Sequence, residues 1–251
     1  MKFLARYEKL LMLAAGALIA LGVTLGHAAL TPAAPKIAQK EIDAAVARTL
    51  ATKPLPSPAM RAYQAVRPSL VHVRTERSAG TGVVIVSRGV ILTSLHVVSG
   101  ASRVRVTFAN GLESEASVAA TQPENDVAVL QARLVPDDLR AATLRPAKDL
   151  VVGEHVTTAG FPFGIGPSVS HGVVSGLKRE YPAPDGRHRL RDLIQFDAAA
   201  NPGSSGGPLV NGAGEVIGIV AAIVTPSESF SGVAFAVPIE HAARAAGLPK
   251  L

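Results

Sequence analysis

A chain of 251 residues that is 48% hydrophobic and 18% charged is long enough to bury a substantial core, as one large domain or two small ones. Cysteine is absent, which excludes disulfides, thiolate catalysis and cysteine-held zinc; the histidines are scattered without metal-ligand spacing, so neither a metal nor a cofactor is expected. Of the formal charge of +6, Lys2, Arg6 and Lys9 against Glu8 supply +2, and with no basic helix or RNA-binding aromatic motif in view a nucleic-acid partner is not expected.

After the basic start, residues 10–26 (LLMLAAGALIALGVTLG) form an uncharged run of 17 that ends at the small residues of HAAL. Residues 1–30 therefore read as a signal peptide or as an N-terminal membrane anchor, and with the charges on the N-terminal side either reading exports the remainder of the chain. Ile37, Ile42, Val46 and Leu50 recur at near-helical spacing before KPLPSP at 53–58, giving a helical segment and a stiff linker over 31–58. A second short helix is predicted over 58–66, opened by Pro58 and closed ahead of Pro68.

Beyond Ser69 the texture changes to strand and turn. Strands are predicted at 70–75, 82–86, 90–94, 103–108, 113–120 and 127–131, then at 155–159, 169–177, 193–196, 208–210, 216–224 and 232–237. The clearest hairpin surrounds Asn110 and Gly111, where alternating apolar residues flank a pair that tolerates positive φ. A linker, DDLRAATLRPAKDLVVGE, separates the two sets, and residues 239–246 close the chain as a helix. Short antiparallel strands of this number pack naturally as two small closed barrels, about 69–135 and 150–238, because closure removes exposed edges.

The segment NPGSSGGPLVN, 201–211, sets Ser204 and Ser205 inside a glycine-rich turn. A serine hydroxyl becomes a nucleophile only with a histidine to take its proton and an acid to orient that histidine. His96 follows a strand in GVILTSLHVV, at a point where the chain turns to the surface, whereas His72 and His171 are embedded in strands and read as structural. Asp126 in ENDVAVLQ directly precedes an apolar strand, from which a carboxylate reaches the edge of a core. Histidine, aspartate, serine is the order of the chymotrypsin-type fold and differs from the subtilisin and α/β-hydrolase orders.

The segments GTGVVIV, VILTSLHVV, ENDVAVL, TAGFPFGIGPSVSHGVVSGL, IQFDAAANPGSSGGPLVN and GVAFAVP make the stretch 59–246 resemble the protease domain of the HtrA/Deg serine proteases. The resemblance implies an all-β, chymotrypsin-like double β-barrel with short N-terminal and C-terminal helices, a protease domain over 59–251, and catalytic His96, Asp126 and Ser205. Ser205 is the nucleophile because it directly precedes GGPL, and Ser204 shapes the turn. An oxyanion hole is expected at Gly203, Ser204 and Ser205, with the N–H groups of Gly203 and Ser205 as donors.

Ala199 stands six residues before Ser205, where basic-specific relatives carry an acid, and Ala200 and Ala222 are also small. By resemblance, cleavage falls after small or medium apolar residues such as Val, Ala or Leu, with the substrate strand pairing along Val220, Ala221 and Ala222. The resemblance further implies polypeptide substrates, unfolded or misfolded, a periplasmic location and a homotrimer. Two departures stand out: Leu95 replaces the small or amide residue common before the histidine, and the chain stops at Leu251 with no PDZ domain expected. The stretch 177–193, with Lys178, Arg179, Arg187, Arg189 and Arg191, reads as a solvated charged loop, or as a contact for an acidic partner or lipid head group. The expected function is an exported serine endopeptidase; its rival is a catalytically silent binding or chaperone module on the same fold.

Overall fold

In each half of the chain after Ser69, apolar residues fall on both faces of short strands, and a strand buried on both faces needs a core on each side. The computed structural model describes residues 4–30, 38–52, 57–184, 186–223 and 231–249. Its first barrel comprises β1 (Leu70–Arg74), β2 (Ala79–Val86), β3 (Val90–Ser94), β4 (Val104–Phe108), β5 (Glu113–Gln122) and β6 (Val127–Ala132). They close in the order β1-β2-β3-β6-β5-β4. The second comprises β7 (His155–Gly160), β8 (Ser168–Pro182), β9 (Arg189–Phe196), β10 (Pro208–Val210), β11 (Val216–Ile223) and β12 (Ala234–Pro238), closed as β10-β11-β12-β9-β8-β7. The expected double β-barrel is the observed one.

Neighbouring residues on one strand serve different cores. On β2, β3 and β6, Val84, Ile91, Ala128 and Leu130 point into the first barrel, while Val83, Leu92, Val127 and Val129 belong to a cluster shared with the second barrel. The second barrel supplies Leu193, Val210, Ile219, Phe235 and Val237 to that shared cluster and keeps Val156, Phe196, Leu209 and Ile217 for its own interior. Runs such as VAVL are continuous for this reason. A one-residue slip would exchange the two cores, so burial itself fixes the register.

Three helices frame this unit. Helix α3 (Pro58–Val66) starts where the Ser57 hydroxyl accepts the Met60 N–H at 3.1 Å, and it buries Ala62 and Val66 in the shared cluster. Helix α4 is a single turn, Leu95–Val98, and α5 (Ile239–Ala245) follows Pro238 directly. The chain divides into two compact units, Met1–Leu55 and Pro56–Leu251. The first holds α1 (Leu4–Leu30) and α2 (Gln39–Thr52). Within α1 the window Leu10–His27 has a mean hydropathy of 2.0, so this helix is long and apolar enough to cross a membrane. The expected helix of the linker region is α2; Ile37, which opened its pattern, lies outside the described residues.

Two elements differ from expectation. The Asn110–Gly111 turn is one residue longer than a two-residue hairpin: the Phe108 N–H bonds the Leu112 carbonyl at 2.9 Å, Gly111 alone takes a positive φ of 88°, and the Asn110 side chain accepts the Leu112 N–H at 3.1 Å. More consequentially, the basic stretch 177–193 is mostly a β8–β9 hairpin rather than a loop. Glu180 stands between Arg189 and Arg191 at 3.5 and 3.8 Å, Arg179 donates to the Gln195 amide oxygen at 3.0 Å, and Leu190 is fully buried. Register shifts at Gly176 and Arg179, with positive φ at Lys178 and Asp192, interrupt the alternation that would have announced a strand.

Candidate active site

The strand β3 ends at Ser94, and the one-turn helix α4 after it buries Val97 and Val98 while Leu95 packs against the first barrel's core. One turn cannot bury every face, and His96 is left towards the surface with its side chain 31% exposed. Leu95, whose bulk stood out in sequence, therefore points away from the site. Alongside, β5 gives way to a tight turn at 123–125 and Asp126 adopts a left-handed conformation, φ 52°, before β6 begins beside the end of β3. Aspartate is among the few residues that occupy this region readily.

Three hydrogen bonds join the two segments. The Leu95 N–H donates to the Asp126 carbonyl at 2.8 Å, the His96 N–H donates to Asp126 Oδ1 at 2.9 Å, and His96 Nδ1 stands 2.6 Å from Asp126 Oδ2. A carboxylate can only accept, so Nδ1 donates, and in the neutral ring this tautomer leaves the lone pair on Nε2. The carboxylate is 7% exposed and held at both oxygens, which fixes the plane of the imidazole.

The serine turn, 201–207, is fixed by its carbonyls. Those of Pro202, Gly203, Ser204 and Ser205 accept, in turn, from the Phe163 N–H at 2.7 Å, the Thr81 hydroxyl at 2.7 Å, the Gly207 N–H at 3.0 Å and the Thr81 N–H at 2.8 Å. In a trans peptide the N–H points opposite to the carbonyl that precedes it. Tying the Pro202 and Ser204 carbonyls therefore turns the Gly203 and Ser205 N–H groups away from those bonds, and neither has an acceptor among the described residues. The Ser204 N–H is different: it donates to the Asn201 carbonyl at 2.8 Å, while the Ser204 hydroxyl accepts the Asn201 N–H at 3.2 Å. Ser204 is 6% exposed and braces the turn, so of the three residues expected to form an oxyanion hole it is not a donor.

Gly203 sits at φ 98°, and a Cβ there would stand 2.4 Å from the Phe161 carbonyl oxygen. No other residue fits without moving that segment. Ser205 and His96 line one cleft of about 610 Å³ with Gly203, Ala79, Ala221 and the Tyr181–Pro184 end of the β8–β9 hairpin.

The expected substrate-binding residues separate. Val220 and Ala221 line the cleft, but the Val220 backbone is consumed internally: its N–H donates to Gly207 at 2.8 Å, and its carbonyl accepts from the Gly206 N–H at 2.8 Å and the Ser94 hydroxyl at 2.9 Å. Backbone pairing thus cannot start at Val220. Ala221 is the extra residue of a bulge in the β11–β12 ladder, with no partner opposite. Ala222 pairs with Phe235 through its backbone, and its side chain lies outside the described residues. Ala200 is fully buried in the second barrel's core and cannot touch a substrate, a correction to its expected role. Ala199 lies in a separate small cavity of about 180 Å³ with Ser170 and Ser204, its carbonyl accepting the Ser170 hydroxyl at 2.6 Å.

Sequence reasoning missed Thr81, Ser94 and the hairpin residues Tyr181 to Pro184. Thr81 had one available signal: it stands between Gly80 and Gly82, where a missing Cβ allows close approach. A Cβ on Gly80 would come within 2.9 Å of the Ser205 carbonyl oxygen.

Two closed barrels of six strands each, with a carboxylate-held histidine on the first and a glycine-flanked serine on the second, define a protein of the chymotrypsin-like class. Residues 80–219 match the trypsin-like peptidase domain, and the chain belongs to that family. It is homologous to the DegP/HtrA proteases. It is 42% identical over 171 residues to the "Probable periplasmic serine endoprotease DegP-like" of Halomonas elongata, covering 68% of this chain and 35% of that one. With "Protease Do-like 1, chloroplastic" of Arabidopsis thaliana it shares 41% over 164 residues, 65% of this chain and 37% of the other. The chain thus spans about a third of the length of these curated relatives. Among solved structures, the HtrA-type protease AlgW with a tripeptide superposes with a TM-score of 0.69 at 35% identity, over 75% of this chain and 62% of that one.

Proposed function

We propose that the protein is an exported serine endopeptidase that cleaves unfolded polypeptides after small or medium apolar residues, with Ser205 as nucleophile, His96 as general base and acid, and Asp126 as the group that orients it. One observation carries the reading: Asp126 grips both the backbone and the ring of His96, in the same cleft that Ser205 faces.

In this reading Ser205 Oγ attacks the scissile carbonyl carbon while His96 Nε2 takes the hydroxyl proton. The carbonyl π pair moves onto oxygen, and the N–H groups of Gly203 and Ser205 receive the charge. One such donor is worth about 10²- to 10³-fold in rate. Collapse expels the amine, which leaves with the proton held on His96, and the acyl-enzyme remains on Ser205. Water, deprotonated by the same Nε2, then attacks the ester and releases the acid, and the proton returns to Ser205.

The unpaired position of Ala221 in the cleft wall supports an extended substrate bound by its backbone, which suits an unfolded chain. Among the described residues the cleft lining includes no acid, and Ala79 and Ala221 keep part of it small and apolar, which supports the small, uncharged preference over Lys or Arg. Export to the periplasm is supported by the apolar helix α1 and by the names of the bacterial relatives; a homotrimer rests on the resemblance alone.

Hydrolysis of an unfolded protein such as casein, with sequencing of the new N-termini, tests this. The expected result is cleavage after Val, Ala or Leu that falls by about 10³-fold or more in Ser205→Ala and persists in Ser204→Ala. Cleavage after Lys or Arg would reject the specificity, and undiminished hydrolysis by Ser205→Ala would reject the mechanism.

A further inference from the structure

The turn that carries the two inward N–H groups is built on glycine, whose backbone freedom requires that something outside the turn hold it. Two pins stand on either side of Gly203: the Phe163 N–H on the Pro202 carbonyl and the Thr81 hydroxyl on the Gly203 carbonyl, both at 2.7 Å. Thr81 belongs to β2 of the other barrel and is fully buried. Its polar groups are all engaged near the site. The N–H donates to the Ser205 carbonyl at 2.8 Å, the carbonyl accepts the Thr93 hydroxyl at 2.7 Å, and Oγ1 accepts the Phe161 N–H at 3.0 Å.

A backbone N–H can only donate, so the bond from Phe161 leaves the single hydroxyl proton of Thr81 for the Gly203 carbonyl. The hydroxyl thereby ties together the turn and the segment 161–163, which itself hooks the Pro202 carbonyl. Its rotamer is boxed in as well: a Cβ on Gly160 would stand 2.6 Å from Thr81 Oγ1, and one on Gly207 would stand 3.2 Å from its methyl group. Gly160 and Gly207 are the vacancies into which this one side chain fits.

We infer that Thr81 is a positioning residue for the oxyanion turn: its hydroxyl fixes the Gly203–Ser204 peptide plane that lies between the two donor N–H groups and ties it to the 161–163 segment that hooks the Pro202 carbonyl, and so acts on the transition state and not on substrate binding. The inference rests on hydrolysis at Ser205 as proposed above. Thr81 does not line the cleft; the effect of its hydroxyl passes through the Gly203 carbonyl it holds and the Phe161 N–H it accepts.

Thr81→Val removes the hydroxyl at nearly constant volume. Expected is a fall in kcat of about 10- to 100-fold with KM changed by no more than about twofold. Affinity for a peptide boronic acid, whose tetrahedral adduct places an oxygen on the same two N–H groups, falls by the same factor, and Thr81→Ser restores both. Thr81→Ala, which removes the hydroxyl and the methyl group together, carries the same test should the valine variant fail to fold. Val and Ala variants that melt earlier yet keep kcat and boronate affinity within about threefold of wild type would overturn the inference. The wild type and Ser205→Ala run alongside: if both are equally inert, the hydrolase reading itself fails and the role assigned to Thr81 falls with it.

Discussion

The absent side chain of Gly203 is matched by a neighbour, Phe161, whose carbonyl oxygen lies 2.4 Å from where a Cβ would be and whose ring stacks on His72 at 4.7 Å between centroids. His72 Nε2 is buried with no hydrogen-bond partner among the described residues. Burial, and secondarily the charge of Arg74, hold this imidazole below its ordinary pKa of 6.5. A histidine lowered in the folded state contributes stability that is present above pH 6.5 and is lost as the pH falls through that value towards the folded pKa, because the unfolded chain takes up the proton first. Thermal melts between pH 7.5 and pH 5.5 should therefore show a smaller fall in Tm for His72→Phe, which keeps the stack, than for the wild type; an equal or larger fall would contradict this. His96, Asp126 and Ser205 could be named together in sequence from their order and from the matched segments around them, and the structure sets Asp126 against His96 and lines one cleft with His96 and Ser205. Thr81 could not be named, since its importance comes from meeting Gly203 and Phe161, 122 and 80 positions away. Ala200 failed in the opposite way: smallness suggested a pocket, but a small residue fills a core equally well.

Strands were legible where one face alternated with the other or where both were apolar, which covers the first barrel almost throughout. The β8–β9 hairpin was not, because its bulges put charged residues in consecutive positions and the pairing that neutralises them, Glu180 with Arg189 and Arg191, appears only across strands. Its exposed arginines lie on a defined element whose end, Tyr181 to Pro184, borders the cleft, and Tyr181 is stacked on Phe235 at 4.9 Å. A charge pattern that suggested a solvated loop thus belongs to a wall of the site. The β11 bulge matters in the same manner: a single extra residue, Ala221, stands unpaired in the β11–β12 ladder where that strand lines the cleft. No composition rule announces such a bulge.

At the scale of the whole molecule, the division at Leu55 and Pro56 separates an apolar-helix unit from a unit that carries both barrels and every residue of the site. A chain begun at Pro56 should accordingly melt within about 3 °C of the full-length protein. It should also remain in the supernatant of a membrane preparation with which the full-length chain, if α1 is retained, sediments. Loss of the cooperative transition on truncation would show that residues 1–55 belong to the folding unit. The barrels bring a histidine from the first and a serine from the second to one cleft, and the central claim is that Ser205, and not Ser204, is the nucleophile there. Labelling the folded protein with a fluorophosphonate and locating the adduct by mass spectrometry tests this most directly. The predicted result is phosphonylation of Ser205, abolished in His96→Ala; an adduct on Ser204, or labelling indifferent to His96, would contradict it.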